Sequence, residues 1–523
     1  MTSSPRVALA ALFLTAAALL PGCLSSSEVE CTSSTVRCGD TCVATATDRN
    51  NCGACGAACS GGNVCVGGAC VCPTGQTVCN GLCTTIATDP RNCGACGQSC
   101  GSQEICDQGV CFDCNSQPGV CQRATIVAGC IDGPGGGLRQ LQDARGTGLT
   151  IGSLINPSSA TFPDALGLLG GALLYADHDS SSLFEIPVGD LGVASSERVP
   201  LVGGSTGSKA GTTQLYVETS DGGSGPSRIY AKTSSVNALR IFDGPPAADA
   251  GQLLDGGTGM LGLTAVGGAA FDPGSFPDPF AKLGNEVFVP LNATGKVVRV
   301  DISDPANARV VETFDLQTLI SALPDGGTIA DGGVLSPSPT QAIARNGKVY
   351  VSMNVLRYYA DRSGADYGPP LVARIELLDG GSAALSAISL DGTECQNVEW
   401  LAAVPQGSAS TPLLVSCAGA RTYDANYVVT SVAHTALVWL DANDQRVTAW
   451  VPSVGAGQPP PSVGRAVPAN ASVYVADETD SRLYVLDVGT NSLLERVGNT
   501  ADGGTPPQLC PSYITDLTVV SLP

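Results

Sequence analysis

From residue 158 onward, short apolar runs rich in Val, Ile, Leu and Tyr alternate with clusters of Gly, Pro, Asn and Asp. That alternation is the punctuation of strands and turns, not of helices. The runs come in pairs: 173–177 (LLYAD) with 183–188, 228–231 (RIYA) with 238–243 (ALRIFD), and 286–291 (EVFVPL) with 296–301 (KVVRVD). Three more follow: 348–352 (KVYVS) with 371–379, 412–416 (PLLVS) with 435–441 (TALVWLD), and 472–477 (SVYVAD) with 482–487 (RLYVLD). The first strands begin 55 to 64 residues apart, a spacing regular enough to mark a repeated structural unit. In most units an apolar strand precedes the pair and another follows, as at 464–468 and 492–497, so each unit supplies about four antiparallel strands.

Four-stranded units in series predict an all-β fold of the β-propeller class, because a solenoid would show a helix or a shorter repeat and a sandwich would not repeat so regularly. The second strand of the pair ends in Asp at Asp243, Asp301, Asp379, Asp441 and Asp487, where a carboxylate bonds the amides of its own turn. Six complete units lie between Ser158 and Thr505, and 513–522 (YITDLTVVSL) is one more strand with no neighbour in sequence. An unpaired apolar edge invites aggregation. The expectation is therefore that it joins strands from 124–155 in a composite seventh blade; six blades plus a capping strand is the alternative.

The chain before residue 131 follows another rule. Of 23 Cys, 19 fall between Cys31 and Cys130. Cys31, Cys38, Cys42, Cys52, Cys55, Cys59, Cys65 and Cys70 recur 41 residues later as Cys72, Cys79, Cys83, Cys93, Cys96, Cys100, Cys106 and Cys111. A tandem repeat so poor in large apolar side chains needs covalent or metal staples to offset its chain entropy. Disulfides, four per repeat with open connectivity, fit the even count and an oxidising exported location. C-x-x-C metal knuckles at Cys52/Cys55 and Cys93/Cys96 are the weaker reading, since they leave the other spacings unexplained and no His lies nearby. Beyond the repeats, Cys130 with Cys510 would lock the composite blade, Cys395 with Cys417 would staple one unit, and Cys114 with Cys121 completes the set.

Segment 1–22 carries Arg6 and then the apolar run 7–20, the anatomy of a secretory signal. Its end, Leu20, Pro21, Gly22, Cys23, resembles a bacterial lipobox, which implies cleavage before Cys23 and lipid attachment to its thiol. Leu24 stands where lipoproteins retained at the inner membrane commonly have Asp, so the resemblance points to the outer membrane, facing the periplasm or the cell surface. The repeats, with Asp89, Asn92, Cys93, Gly94, Cys96, Gly97 and Cys100, resemble the stigma-specific cysteine-rich protein family, which implies a disulfide-stapled extracellular module without catalytic residues. The last unit, with Tyr474, Val475, Asp487, Thr490 and Asn491, is similar to the YVTN family of propellers; that implies the fold and says little about activity. The resulting division is 1–22 signal peptide, 23–30 lipid-anchored tether, 31–71 and 72–112 cysteine-rich repeats, 113–157 transition and N-terminal strands of the composite blade, and 158–523 propeller.

Charge narrows the partners. The 26 Lys plus Arg against 47 Asp plus Glu leave a net charge of −21, which excludes a nucleic-acid surface. Candidate chemistry is sparse. His178 between Asp177 and Asp179, and Glu478 with Asp480, read as polar turns before metal ligands; His434 reads as a strand residue; the DGG triplets lack the alternating acids of calcium loops. Trp400, Trp439 and Trp450 read as core before sugar platform. No nucleophile elbow or P-loop is present, so no catalytic, cofactor or metal residue is assigned. The expected function is a noncatalytic outer-membrane lipoprotein whose propeller binds a protein, glycan or small ligand above a stapled stalk. A propeller enzyme, such as a metal-dependent lactonase or a quinoprotein dehydrogenase, is the alternative.

Overall fold

The structure is a computed structural model. It describes residues between Cys31 and Ser521, omitting short loops and the longer stretches 114–121, 156–162, 188–195, 201–212, 219–225, 247–262, 405–410, 453–460 and 498–507. The chain divides into two compact units near Cys111.

The first unit holds the cysteine-rich repeats. Repeat one pairs Cys31–Cys42, Cys38–Cys55, Cys52–Cys65 and Cys59–Cys70, so each closed loop overlaps the next along the chain. Repeat two copies this order with Cys72–Cys83, Cys79–Cys96 and Cys93–Cys106, and Cys100 and Cys111 are also disulfide-bonded. Both C-x-x-C pairs are spent on separate bridges, which leaves no thiolates for a metal knuckle. Between bridges lie only three- and four-residue hairpin strands, such as Val36–Cys38 with Thr41–Val43. The repeated Asp and Asn residues shape the backbone. Asp48 and Asp89 accept from the amides of Asn50 and Arg91, while Asn51 and Asn92 accept from those of Gly56 and Gly97, each at 2.7–2.8 Å. Gly94 has φ +75°, and a Cβ there would stand 2.5 Å from the Gly109 carbonyl oxygen.

The second unit is a seven-bladed propeller. Seven sheets of at least four antiparallel strands follow one another, and after blade one, blades two to seven span residues 163–200, 213–270, 281–315, 336–389, 398–450 and 463–497. Blade one is composite: Gln122–Asp132, Gly135–Ala144 and Gly148–Ile155 pair in sequence, and the C-terminal strand Tyr513–Ser521 adds inside Gln122–Asp132. The disulfide Cys130–Cys510 crosses this seam, and Cys395–Cys417 staples blade six. The alternating strands have no single core to fill. Instead seven apolar clusters form, one between each pair of neighbouring blades. Polar clasps join the same interfaces. Tyr474 of blade seven donates to Asp143 of blade one at 2.6 Å, and Tyr350 of blade five donates to Asp444 of blade six at 2.9 Å. The Tyr of the Tyr-Val strand is thus buried as a wedge whose hydroxyl finds a carboxylate on the next blade.

The innermost strands carry the feature that positions the site. In five of the seven blades the register slips near the strand start, between Pro163/Ala165, Pro339/Gln341, Val398/Trp400, Val463/Ala466 and Ile514/Asp516. A bulge of this kind re-aims the extra residue and frees ladder groups. The preceding blade takes up those groups: Asp516 accepts from the Leu166 amide at 2.8 Å and Gln341 from the Leu401 amide at 2.6 Å. Asp164, Glu399 and Arg465 are among the residues re-aimed.

Candidate functional site

Glu399 lies in Val398–Ala403, the innermost strand of blade six, within an otherwise apolar run. Glu478 follows Ser472–Asp477, the second strand of blade seven. Arg421 comes from the hairpin Ala420–Tyr423 with Val429–Ala433, inserted between the second and third strands of blade six. The fold brings these three side chains together. Arg421 Nη2 donates to Glu478 Oε2 and reaches Glu399 Oε2 at 3.5 Å. Asn397 Nδ2 donates to Glu399 Oε1 at 2.9 Å, and Trp400 Nε1 donates to Glu478 Oε1 at 2.7 Å. All four carboxylate oxygens therefore have a donor from the chain.

Two carboxyls this close cannot both ionise cheaply. Burial, and then the charge of Glu478, push the Glu399 carboxyl up to about 8, so near neutral pH it keeps its proton. Arg421, between two acids, is held firmly charged and its pKa is raised.

Further charged groups adjoin this trio, most of them from other blades. Arg465 of blade seven stacks on the Trp400 ring, 4.4 Å from its centroid, and pairs with Asp516 of blade one. Burial lowers its pKa to about 10, against the pull of Glu478 and Asp164. Lys232 of blade three is 1% exposed and lies 3.6 Å from Asp278, which precedes the inner strand of blade four. Burial lowers the Lys232 pKa, which Asp278 and Asp164 partly oppose, and burial raises that of Asp278. Six blades thus contribute charged groups, and those described are met largely by one another.

Of the residues singled out from sequence, Glu478 belongs to this assembly, while Asp480 pairs with Arg482 in the same turn. Trp439 and Trp450 are core between blades six and seven; Trp400 stands apart under Arg465. Asp301 and Asp441 bond amides of their own turns, as the pattern implied. Asp177 is buried, and His178 and Asp179 lie outside the described residues, as do Cys23, Cys114 and Cys121. His434 corrects the strand reading: it has φ +59° and turns the chain between Val429–Ala433 and Ala436–Leu440. Among the described residues, the groups of three or more His, Cys or acidic side chains close enough to share an ion are cysteines already in disulfides. Glu399, Arg421 and Arg465 were not found from sequence; a lone Glu in the strand VEWLAA was the available signal.

Residues 71–113 match the model of the stigma-specific STIG1-like protein family. No curated protein matches the chain. Among solved structures, the Pseudomonas aeruginosa periplasmic gluconolactonase PpgL aligns with 76% of this chain and 86% of its own at 14% identity, with a TM-score of 0.32. Citrobacter koseri AztD aligns over 77% and 99% at 14% identity, TM-score 0.40. A Synechocystis apocarotenoid oxygenase mutant aligns over 75% and 92% at 11% identity, TM-score 0.43. Likeness at this level assigns no activity to the chain.

Proposed function

We propose that this chain is a noncatalytic binding protein of the outer membrane, anchored by lipid at Cys23, whose propeller offers its ligand site beside the Glu399–Arg421–Glu478 trio. The repeats lie between anchor and propeller in the chain and serve as a stapled spacer. One observation supports binding over chemistry: every oxygen of the carboxyl pair is occupied by Asn397, Trp400 or Arg421. A hydrolytic metal would need three or more converging free ligands.

The test has two arms. Growth with an alkyne-bearing fatty acid should label the wild-type protein in the membrane fraction and leave Cys23→Ala unlabelled. The purified chain, incubated with a lactone panel and calcium, manganese or zinc, should show no turnover above the metal alone. Turnover lost in Glu478→Gln would overturn the noncatalytic reading, and equal labelling of both proteins would overturn the anchor.

A further inference from the structure

Directly beside the trio, two insertions meet. In blade five the long strand Lys348–Tyr358 runs on past its sheet partner and pairs with Ala365–Tyr367; in blade six the Arg421 hairpin packs against that addition. The Arg421 amide donates to the Tyr367 hydroxyl at 3.2 Å, and Arg357 pairs with Asp366 at 3.0 Å, so the two arms are braced. Tyr358 is 64% exposed and Tyr359 43% exposed. Tyr423 and Tyr367 lie close enough to Tyr358 for their phenols to influence one another, and Glu399 and Arg421 act on Tyr358 as well. Tyr358, Tyr367 and Tyr423 therefore gather on one braced surface beside Arg421, while Tyr359, whose hydroxyl donates to Asp366 at 3.3 Å, stands on the other face of the strand.

We propose that this surface binds a neutral saccharide, the tyrosine rings taking the apolar faces of the sugar, and the phenol hydroxyls with Arg421 its hydroxyls. The inference rests on the binding-protein reading and names its ligand class. Tyrosine gives broad, rigid contact at low entropic cost, with a hydroxyl at the edge. Charge selects among occupants. Arg357 with Asp366, and Arg421 with Glu478, balance locally, so neither an anion nor a cation finds a complement, and the chain's net charge of −21 repels polyanions. A polyhydroxylated neutral ring matches both the flat aromatic faces and the mixed donors and acceptors.

Calorimetric titration of the detergent-solubilised full chain with hexasaccharides of glucose, mannose and N-acetylglucosamine is the test. Saturable binding of at least one is expected, weakened about tenfold or more by Tyr358→Ala and by Tyr423→Ala. Tyr358→Phe should keep most of the affinity, and Tyr216→Ala, an exposed tyrosine of blade three, should bind as wild type. Wild-type melting temperatures in the variants exclude misfolding as the cause. No saturable binding, or binding indifferent to both alanines, overturns the proposal. Mass spectrometry of the recovered sugar separates the two readings: intact sugar without binding sinks the saccharide site alone, whereas tyrosine-dependent binding with cleavage keeps the site and sinks the noncatalytic role.

Discussion

The proton on Glu399 makes a stability prediction that can be worked through. Its carboxyl binds a proton at about 8 in the folded chain against 4.5 ordinarily, because burial and Glu478 outweigh Arg421. Between those values the folded state holds a proton that the unfolded chain has released. Stability therefore declines as pH rises from about 5 to about 8 and levels off above. The side chains of Glu399 and Glu478 are only 17% and 25% exposed, so solvent screens the effect little. At 1.36 kcal/mol per pKa unit the decline is on the order of 4 kcal/mol. Glu399→Gln keeps the neutral shape and removes the titration. Urea unfolding followed by tryptophan fluorescence at pH 5, 6, 7, 8 and 9 should then show variant and wild type alike at pH 5, with the variant more stable by a few kcal/mol at pH 9. Asp477, which burial pushes up to about 6, and Asp278 add a slope common to both proteins, so the difference between them isolates Glu399. Parallel profiles, or a variant weaker at every pH, would mean that Glu399 is ionised and held by Arg421 as an ordinary ion pair.

Two further outcomes follow from other parts of the fold. Asp444→Ala should destabilise the propeller by about 3–5 kcal/mol in chemical denaturation, because it leaves Arg345, whose side chain is 0% exposed, without its carboxylate and also strips Arg374 and Tyr350. Gly94→Ala forces a Cβ toward the Gly109 carbonyl at a left-handed position; oxidative refolding should then give mispaired bridges in repeat two, read by mass mapping, while repeat one pairs normally.

The architecture was readable because strands alternate with a strict period and the units recur at near-constant spacing. Each expected strand pair is the second and third strand of a blade, and 513–522 closes the ring beside 124–155 because a lone apolar strand has nowhere else to satisfy its backbone. The site was not readable for an equally physical reason. Glu399, Arg421 and Glu478 stand 22 and 57 residues apart on two different blades and an insertion, and the register slip that turns Glu399 inward leaves no mark in composition. His434 misled because 428–440 scans as one apolar run; only a positive φ shows that it is two strands and a turn. Tyr474 matched a family pattern, but its partner, Asp143, lies 331 residues away and belongs to the blade that closes the ring.

Ring closure through the composite blade decides whether any of these residues meet, and one covalent bond reports it. Digestion of the unreduced protein followed by mass spectrometry should yield a peptide containing Cys130 joined to one containing Cys510, across 380 residues of sequence. Cys130 joined to Cys114 or Cys121, or Cys510 recovered as a thiol, would contradict a C-terminal strand seated in blade one and with it the seven-bladed ring.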